Sequence, residues 1–367
     1  MRLRNTTSKS FRSDFVDVHS FNSSLFGTRA TGLLYSLLRV QNRNQESRSK
    51  VLLPSITCSS LVHSCLAAAV TPIFYDCNDT NLVGNQSAAK DLLIKYKNEL
   101  ALVVVVHQFG NWGDFTEIIN EAKILGITTL EDRCQLLNPD LPNLEADYVL
   151  FSFGSTKTLN CKAGAALCST RSYSDLPFSE ISLIKETESG VSNLELAEDY
   201  RRNWYLFNSE HGYKDLTHDL ASFERYRSFL LWGAHNLDYE HLSLRWNKIN
   251  YLNDIRRSNA AKFSLLIEDS THFKIHSEES QFSIPWRFII SASSIELRND
   301  VVKDLREQSL QVSTWYISLK YAFPDLRISQ ETKSDLLSTK LLNFWVDEHI
   351  DFSYVNEVVN ILSLKTT

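Results

Sequence analysis

Short apolar runs alternate with amphipathic stretches between residues 51 and 170, and this alternation predicts strands and helices in turn. The run 101–106 is wholly aliphatic, as in a strand that is buried on both faces of a sheet. Strands that alternate with helices form βαβ units, so this region predicts an α/β fold with a mostly parallel sheet. The predicted strands cover 51–53, 71–75, 101–106, 128–130, 148–153 and 165–168, and the predicted helices cover 33–38, 59–69 and 115–125.

The pattern changes after about residue 172. Residues 179–265 are rich in Leu, Arg, Asn and Tyr and predict mainly helices. A strand over 286–292, a helix over 298–308, a further strand and a final helix over 354–364 then predict a smaller α+β domain.

The chain therefore divides into two predicted domains, a large one over residues 1–240 and a small C-terminal one over residues 241–367. No linker rich in Pro or Gly separates them. The polar, acid-free N-terminus has no apolar stretch behind it, so we expect a disordered tail rather than a signal peptide.

Composition and charge exclude several classes of protein. Only 11 glycines and 7 prolines occur among 367 residues, which excludes a collagen-like or linker-rich chain. The net charge of −6 is spread without a long run of one sign, so the chain lacks the basic footprint of a nucleic-acid binder. The longest apolar run is far too short to cross a bilayer. Neither the six cysteines nor the ten histidines have the spacing of a metal site. These features predict a soluble, cytoplasmic protein with no nucleic-acid, membrane or metal partner.

Polar residues gather where the predicted strands end, and ligands of parallel sheets bind beyond the carboxyl ends of the strands. The segment Gly27-Thr28-Arg29-Ala30 opens a helix, so its amides are either an anion site or a plain N-cap. Glu131 and Asp132 end a buried strand, where a carboxylate either caps a helix or pairs with a cationic group. Ser152, Ser155 and Thr156 crowd Lys157 just past another buried strand. His107 closes the Val-rich strand and is either a site residue or a satisfied core residue.

Five motifs follow one another in an order that resembles one family. They are Pro54-Ser55-Ile56-Thr57, Ile73-Phe74-Tyr75-Asp76, His107 with Gly110, Glu131-Asp132 with Gln135, and Ser152-Phe153 with Lys157. This succession is similar to the DegT/DnrJ/EryC1/StrS family of pyridoxal-phosphate-dependent sugar aminotransferases, within the aspartate aminotransferase fold. The resemblance covers residues 24–170 and continues more loosely through residues 255–259 and Trp315.

The resemblance implies fold type I, in which helices sandwich the mostly parallel sheet, and it implies roles for the site residues. Lys157 would hold the cofactor as a Schiff base and shuttle a proton, and Asp132 would keep the pyridine nitrogen protonated. Gln135 would contact the phenolic oxygen or its surroundings, and Ser152 and Thr28 would hold the phosphate. The full set implied for cofactor binding is Gly27, Thr28, Arg29, Ala30, Cys58, Gln135, Ser152 and Lys157.

The implied enzyme is a cytosolic homodimeric aminotransferase, which moves an amino group from a donor such as glutamate to a keto group of a nucleotide-linked sugar for polysaccharide biosynthesis. Three features depart from the family pattern, and the last two favour an alternative, a catalytically divergent protein of the same fold with a binding or regulatory role. Cys58 stands where family members often place a ring-stacking aromatic residue. Lys162-Ala163-Gly164-Ala165 stands where glycines are usual, and the Asn-x-Arg segment of the second subunit is not legible.

Overall fold

The structure is a computed structural model, and it describes most of the chain in ten segments. They are residues 7–44, 47–169, 184–185, 195–196, 198–199, 231–234, 237–267, 270–277, 280–326 and 331–365.

A seven-stranded sheet forms the centre of the N-terminal region, with the strand order β1-β7-β6-β5-β4-β2-β3. Neighbouring strands from β3 to β6 are parallel, whereas β7 runs antiparallel to both β6 and β1. The mostly parallel sheet predicted from the sequence is therefore confirmed. Its strands are β1 (Ser23–Gly27), β2 (Lys50–Pro54), β3 (Thr71–Tyr75), β4 (Leu100–Val106), β5 (Thr128–Asp132), β6 (Tyr148–Ser152) and β7 (Ala165–Ser169).

Helices cover both faces of this sheet, as the wholly aliphatic strand β4 requires. Leu102 and Val104 pack on one face with Leu33 of the helix after β1. Val103 and Val105 point the other way, into a second cluster that includes residues of the two helices after β3 and β4. The helices of this region are α1 (Thr7–Val18), α2 (Ala30–Asn44), α3 (Ser59–Ala67), α4 (Gln86–Lys95) and α5 (Thr116–Ile124).

The C-terminal region has its own three-stranded antiparallel sheet, in the order β10-β11-β12, and its own apolar core. This is the smaller α+β arrangement that the sequence predicts. Its strands are β10 (Phe273–Ile275), β11 (Phe288–Ala292) and β12 (Leu341–Phe344); β8 (Ile184–Lys185) and β9 (Trp232–Ala234) form a separate parallel pair. The later helices are α6 (Tyr239–Trp246), α7 (Ile249–Ile267), α8 (Ile295–Glu307), α9 (Leu319–Ala322), α10 (Lys333–Ser338) and α11 (Phe352–Leu364).

The N-terminal segment differs from the prediction, because residues 7–18 form helix α1 rather than a disordered tail. Phe11 and Phe15 lie one helical turn apart and are fully buried against Phe153 and Trp246. The apolar spacing of this short helix is masked by the surrounding polar residues. Most of the predicted helical stretch over 179–265 lies outside the described residues, and the domain boundary near residue 240 stays a prediction. None of the described helices has the length and apolar character needed to cross a membrane.

Candidate active site

The sheet brings two of the predicted phosphate-binding segments into one row. Gly27 of β1 pairs with Ala165 of β7, and the same alanine pairs with Ser152 of β6. Thr28 follows Gly27 directly, and its carbonyl accepts a hydrogen bond of 2.9 Å from the Gly164 amide. The pairing of β1 with β7 therefore places the start of helix α2 beside the end of β6, which the sequence alone does not show.

Lys157 lies in a loop that is closed by main-chain hydrogen bonds. The Lys157 amide donates to the Gly154 carbonyl at 2.9 Å, and the Cys161 amide donates to the Phe153 carbonyl at 2.8 Å. Thr156 has a φ of +118°, an unfavourable value for a residue with a branched side chain. The loop thus holds the lysine on a strained turn just beyond the carboxyl end of β6.

Asp132 ends strand β5 and is 4% exposed. Burial raises the pKa of its carboxyl, while the bonds to Cys134 and the positive charge of Lys157 act in the opposite direction. The Cys134 amide donates to Asp132 Oδ1 at 2.8 Å. The Lys157 charge therefore reaches the carboxylate of Asp132, the other residue predicted to be catalytic.

Glu131 and His107 are fully buried in the core of the sheet, where they contact each other. His107 Nε2 lies 2.7 Å from Glu131 Oε1, and His107 Nδ1 accepts from the Gly113 amide at 3.2 Å. Its ring stacks on Trp112, with the centroids 4.6 Å apart. Arg133 donates to both oxygens of Glu131, at 2.6 and 3.0 Å. Of the two interpretations of His107, the structure supports the satisfied core residue.

We predict that the buried cluster of Glu131, His107 and Arg133 makes the free energy of unfolding depend on pH in the acid range. Burial raises the pKa of Glu131, but the Arg133 charge and the His107 bond outweigh burial and lower it from 4.5 to about 2. A lowered pKa stabilises the fold above pH 4.5, and this contribution is lost as the pH falls from 4.5 to about 2. Glu131→Gln leaves Arg133 buried without a counter-charge, which should cost about 3–5 kcal/mol at pH 7.

Urea unfolding of the wild type and Glu131→Gln at a series of pH values measures this effect. The difference in free energy of unfolding should shrink as the pH falls from 4.5 to about 2. Glu117→Gln is the matched control, because the Glu117 side chain is 66% exposed and should change little. A difference that stays constant with pH would show that Glu131 is not ionised in the folded protein.

Gln135 follows strand β5 and contacts Tyr316, a residue that no sequence motif indicates. Its Oε1 accepts from the Phe109 amide at 2.5 Å, and its Nε2 donates to the Tyr316 hydroxyl at 3.0 Å. Tyr316 is buried and packs edge-on against both Phe109 and Trp286. Its neighbour Trp315 carries the loose resemblance in the sequence, but only the fold shows that Tyr316 reaches Gln135.

Cys58 and Trp286 complete the apolar side of the site. Cys58 precedes helix α3, is half-buried, and packs against an apolar cluster that includes Trp286, Phe109 and Tyr316. Trp286 lies against Lys157, whose Nζ is 4.9 Å from the indole ring centroid. Several aromatic rings therefore surround the place where the sequence has a cysteine instead of an aromatic residue.

Two buried hydroxyls test whether this site fits pyridoxal phosphate. Within the described part of the chain, Thr28 Oγ1 and Ser59 Oγ have no hydrogen-bond partner, although both residues are only 2% exposed. Unpaired buried hydroxyls are costly, and a phosphate would supply the acceptors that they lack. Thr28 also precedes helix α2, whose N-terminal amides favour an anion. The residues present fit the cofactor, and Ser59 adds a candidate that the sequence analysis did not name.

We predict that Thr28→Val weakens cofactor binding without weakening the fold. Valine keeps the shape of threonine but removes the hydroxyl, and a hydrogen bond to a charged group contributes about 1.5–3 kcal/mol. The dissociation constant for pyridoxal phosphate should therefore rise about 10-fold or more. Ser36→Ala on the same helix is the control, since that hydroxyl donates to the Gly32 carbonyl at 2.8 Å. Equal affinities of Thr28→Val and wild type would remove Thr28 from the phosphate site.

Comparison with solved structures supports the fold. TlmJ, an aminotransferase from Streptoalloteichus hindustanus, is similar with a TM-score of 0.72 and 15% identity, over 99% of this chain and 91% of that one. Helicobacter pylori PseC, an aminotransferase of pseudoaminic acid biosynthesis, has a TM-score of 0.72 and 14% identity, over 99% and 92%. NtdA from Bacillus subtilis, solved with bound PMP, has a TM-score of 0.69 and 15% identity, over 99% and 78%.

Sequence comparison adds a family match over part of the chain. The family model for the DegT/DnrJ/EryC1/StrS aminotransferase family matches residues 6–173. No curated protein shows significant sequence similarity to the chain. The matched segment contains the large sheet together with Asp132, Ser152 and Lys157. The predicted resemblance is confirmed over this segment, which matches the model of the DegT/DnrJ/EryC1/StrS aminotransferase family.

Proposed function

We propose that the protein is a pyridoxal-phosphate-dependent aminotransferase that transfers an amino group from an amino acid such as glutamate to a keto group of a nucleotide-linked sugar. The observations that support it most are the effect of the Lys157 charge on the buried carboxylate of Asp132 and the unpaired buried hydroxyls of Thr28 and Ser59. A lysine, a buried carboxylate and a phosphate cradle are the groups that this cofactor needs from a protein.

Each of these side chains has a definite task in the proposed reaction. Bound pyridoxal phosphate would supply an electron sink that makes a neighbouring C–H bond acidic. Lys157 would hold the cofactor through its Nζ and would accept and return a proton at that atom. Asp132 would hold the cofactor's ring nitrogen in its protonated form through its buried carboxylate. Thr28, Ser152 and the amides from Gly27 to Ala30 hold the phosphate, and Gln135 lies beside Tyr316 at the edge of the site.

The sugar substrate is proposed from family likeness. The matched family and the role of PseC in pseudoaminic acid biosynthesis support a keto sugar as acceptor. The nucleotide on that sugar, the glutamate donor and a role in polysaccharide biosynthesis are further parts of the proposal. So are a homodimer, a cytoplasmic location, and a division into a cofactor domain over 1–240 and a small domain over 241–367.

Product analysis tests this function. The cofactor-loaded protein is incubated with glutamate or glutamine and a panel of nucleotide-linked keto sugars, and the amino sugar is detected by mass spectrometry. We expect one sugar to gain an amino group while the donor becomes its keto acid. If cofactor binds but no donor and acceptor pair reacts, the binding or regulatory alternative replaces this proposal.

A further inference from the structure

Trp286 contacts the lysine loop in two different ways, although the two segments are 130 positions apart in sequence. Its ring centroid is 4.9 Å from Lys157 Nζ, a distance typical of a cation–π contact. Its indole Nε1 also donates a hydrogen bond of 2.5 Å to the carbonyl of Thr156, the residue before the lysine. The Trp286 side chain, which lies outside the large sheet, thus contacts both the ammonium group of Lys157 and the backbone of the lysine loop.

The backbone that accepts this hydrogen bond is strained. Thr156 has a φ of +118°, where a β-branched residue has an unfavourable energy unless its surroundings hold it. The indole N–H bonds the carbonyl of that same residue. The bond therefore opposes relaxation of the turn that presents Lys157.

Trp286 is itself held firmly, so it can act as a fixed support. Its amide donates to the Phe109 carbonyl at 2.8 Å, and its carbonyl accepts from Arg256 at 3.1 Å and Arg287 at 3.3 Å. The Arg287 guanidinium stacks between two rings, with its Cζ 4.3 Å from the Trp286 centroid and 4.1 Å from that of Trp345. Only 5% of Trp286 is exposed.

We infer that Trp286 is a positioning residue for Lys157: its indole N–H holds the strained Thr156 turn, and its ring keeps the lysine side chain beside Asp132. This inference rests on the proposed function of Lys157. It also gives the small C-terminal region a direct role in the geometry of the lysine loop.

Trp286→Phe separates the two contacts, because phenylalanine keeps a ring but has no N–H donor. We expect the Lys157 and Asn160 amides to exchange hydrogen faster in the cofactor-free protein, since both bonds that close this turn depend on its conformation. These amides donate at 2.9 Å to Gly154 and at 2.8 Å to Lys157. The dissociation constant for pyridoxal phosphate should rise about 10-fold, the effect of one lost hydrogen bond.

Thr156→Gly provides the rescue, because glycine adopts a positive φ without strain. In the Trp286→Phe background it should restore slow exchange and most of the cofactor affinity. In the wild-type background, Thr156→Gly should change the affinity for pyridoxal phosphate by less than about 2-fold, a negligible difference in free energy. The reason is that the hydrogen bond from the Trp286 indole to the carbonyl of residue 156 remains. Trp345→Phe is the matched control, as that ring also stacks on Arg287 and should leave both readouts unchanged.

If Trp286→Phe folds, two outcomes would overturn this inference. One is wild-type exchange and affinity in Trp286→Phe. The other is an equal loss in Trp286→Phe and Trp345→Phe without recovery by Thr156→Gly, which would indicate general packing. If Trp286→Phe does not fold, a 10-fold loss of affinity in Thr156→Gly alone would also count against it. Hydrogen exchange needs neither cofactor nor turnover, so a failure of this inference can be distinguished from a failure of the aminotransferase proposal.

Discussion

Lys157→Ala should lower the rate of amino transfer by about 10²–10⁴-fold, the usual contribution of general acid–base catalysis. The loss should be larger than this if covalent attachment of the cofactor also contributes to turnover. Binding should persist, because Thr28, Ser152 and the start of helix α2 do not involve the lysine. Single-turnover measurements with glutamate give the rate, and equilibrium dialysis gives the affinity.

Lys162→Ala is the control for this substitution. Lys162 lies in the same loop, five residues further along, and its side chain is exposed. It should retain wild-type rates, and borohydride reduction of the loaded protein should label Lys157 and not Lys162. A label on any other lysine, or full activity of Lys157→Ala, would refute the assignment of Lys157.

Asp132→Asn should slow the reaction with the amino donor by about 10- to 100-fold, because a charge-assisted hydrogen bond worth about 1.5–3 kcal/mol is lost. Asparagine has the same shape and can still accept the Cys134 amide, so the fold should be kept. Since burial raises the pKa of Asp132, removing its charge should not destabilise the cofactor-free protein. Stopped-flow absorption with glutamate measures the rate, and thermal unfolding measures the stability.

Asp140→Asn is the matched control, as Asp140 is exposed and lies past the same strand. It should react at the wild-type rate. If Asp132→Asn also reacts at the wild-type rate, the carboxylate only caps the turn at Cys134, and the site loses one of its two central residues.

Six of the seven strands of the large sheet were predictable because their signals are local, whereas β1 (Ser23–Gly27) was not among the predicted strands. The apolar run before Asp76 predicts a strand over 71–75, and the structure has β3 at Thr71–Tyr75. The site residues at the ends of β5 and β6 were predictable for a related reason, since the carboxyl ends of parallel strands lie on one edge. Asp132 and Lys157 are near one another for this reason.

Contacts between distant segments were not predictable from local patterns. Gln135 meets Tyr316 across 181 positions, and Trp286 meets Thr156 across 130. The interpretation of His107 also depended on the fold, because its partners Glu131 and Trp112 are brought together only when β4 and β5 pair. Helix α1 was missed because its buried face consists of a few aromatic residues in a polar segment.

One titration tests the proposed amino-group transfer most directly. Glutamate is added to the protein loaded with pyridoxal phosphate, while the cofactor absorption and the release of 2-oxoglutarate are recorded together. We expect a donor-dependent change in the cofactor absorption. We also expect the release of about one 2-oxoglutarate per bound cofactor, because that is the stoichiometry of a half-reaction in which the amino group of glutamate passes to the cofactor. Absence of both changes with glutamate, glutamine and every other common amino acid would contradict the aminotransferase assignment and favour a protein that only binds.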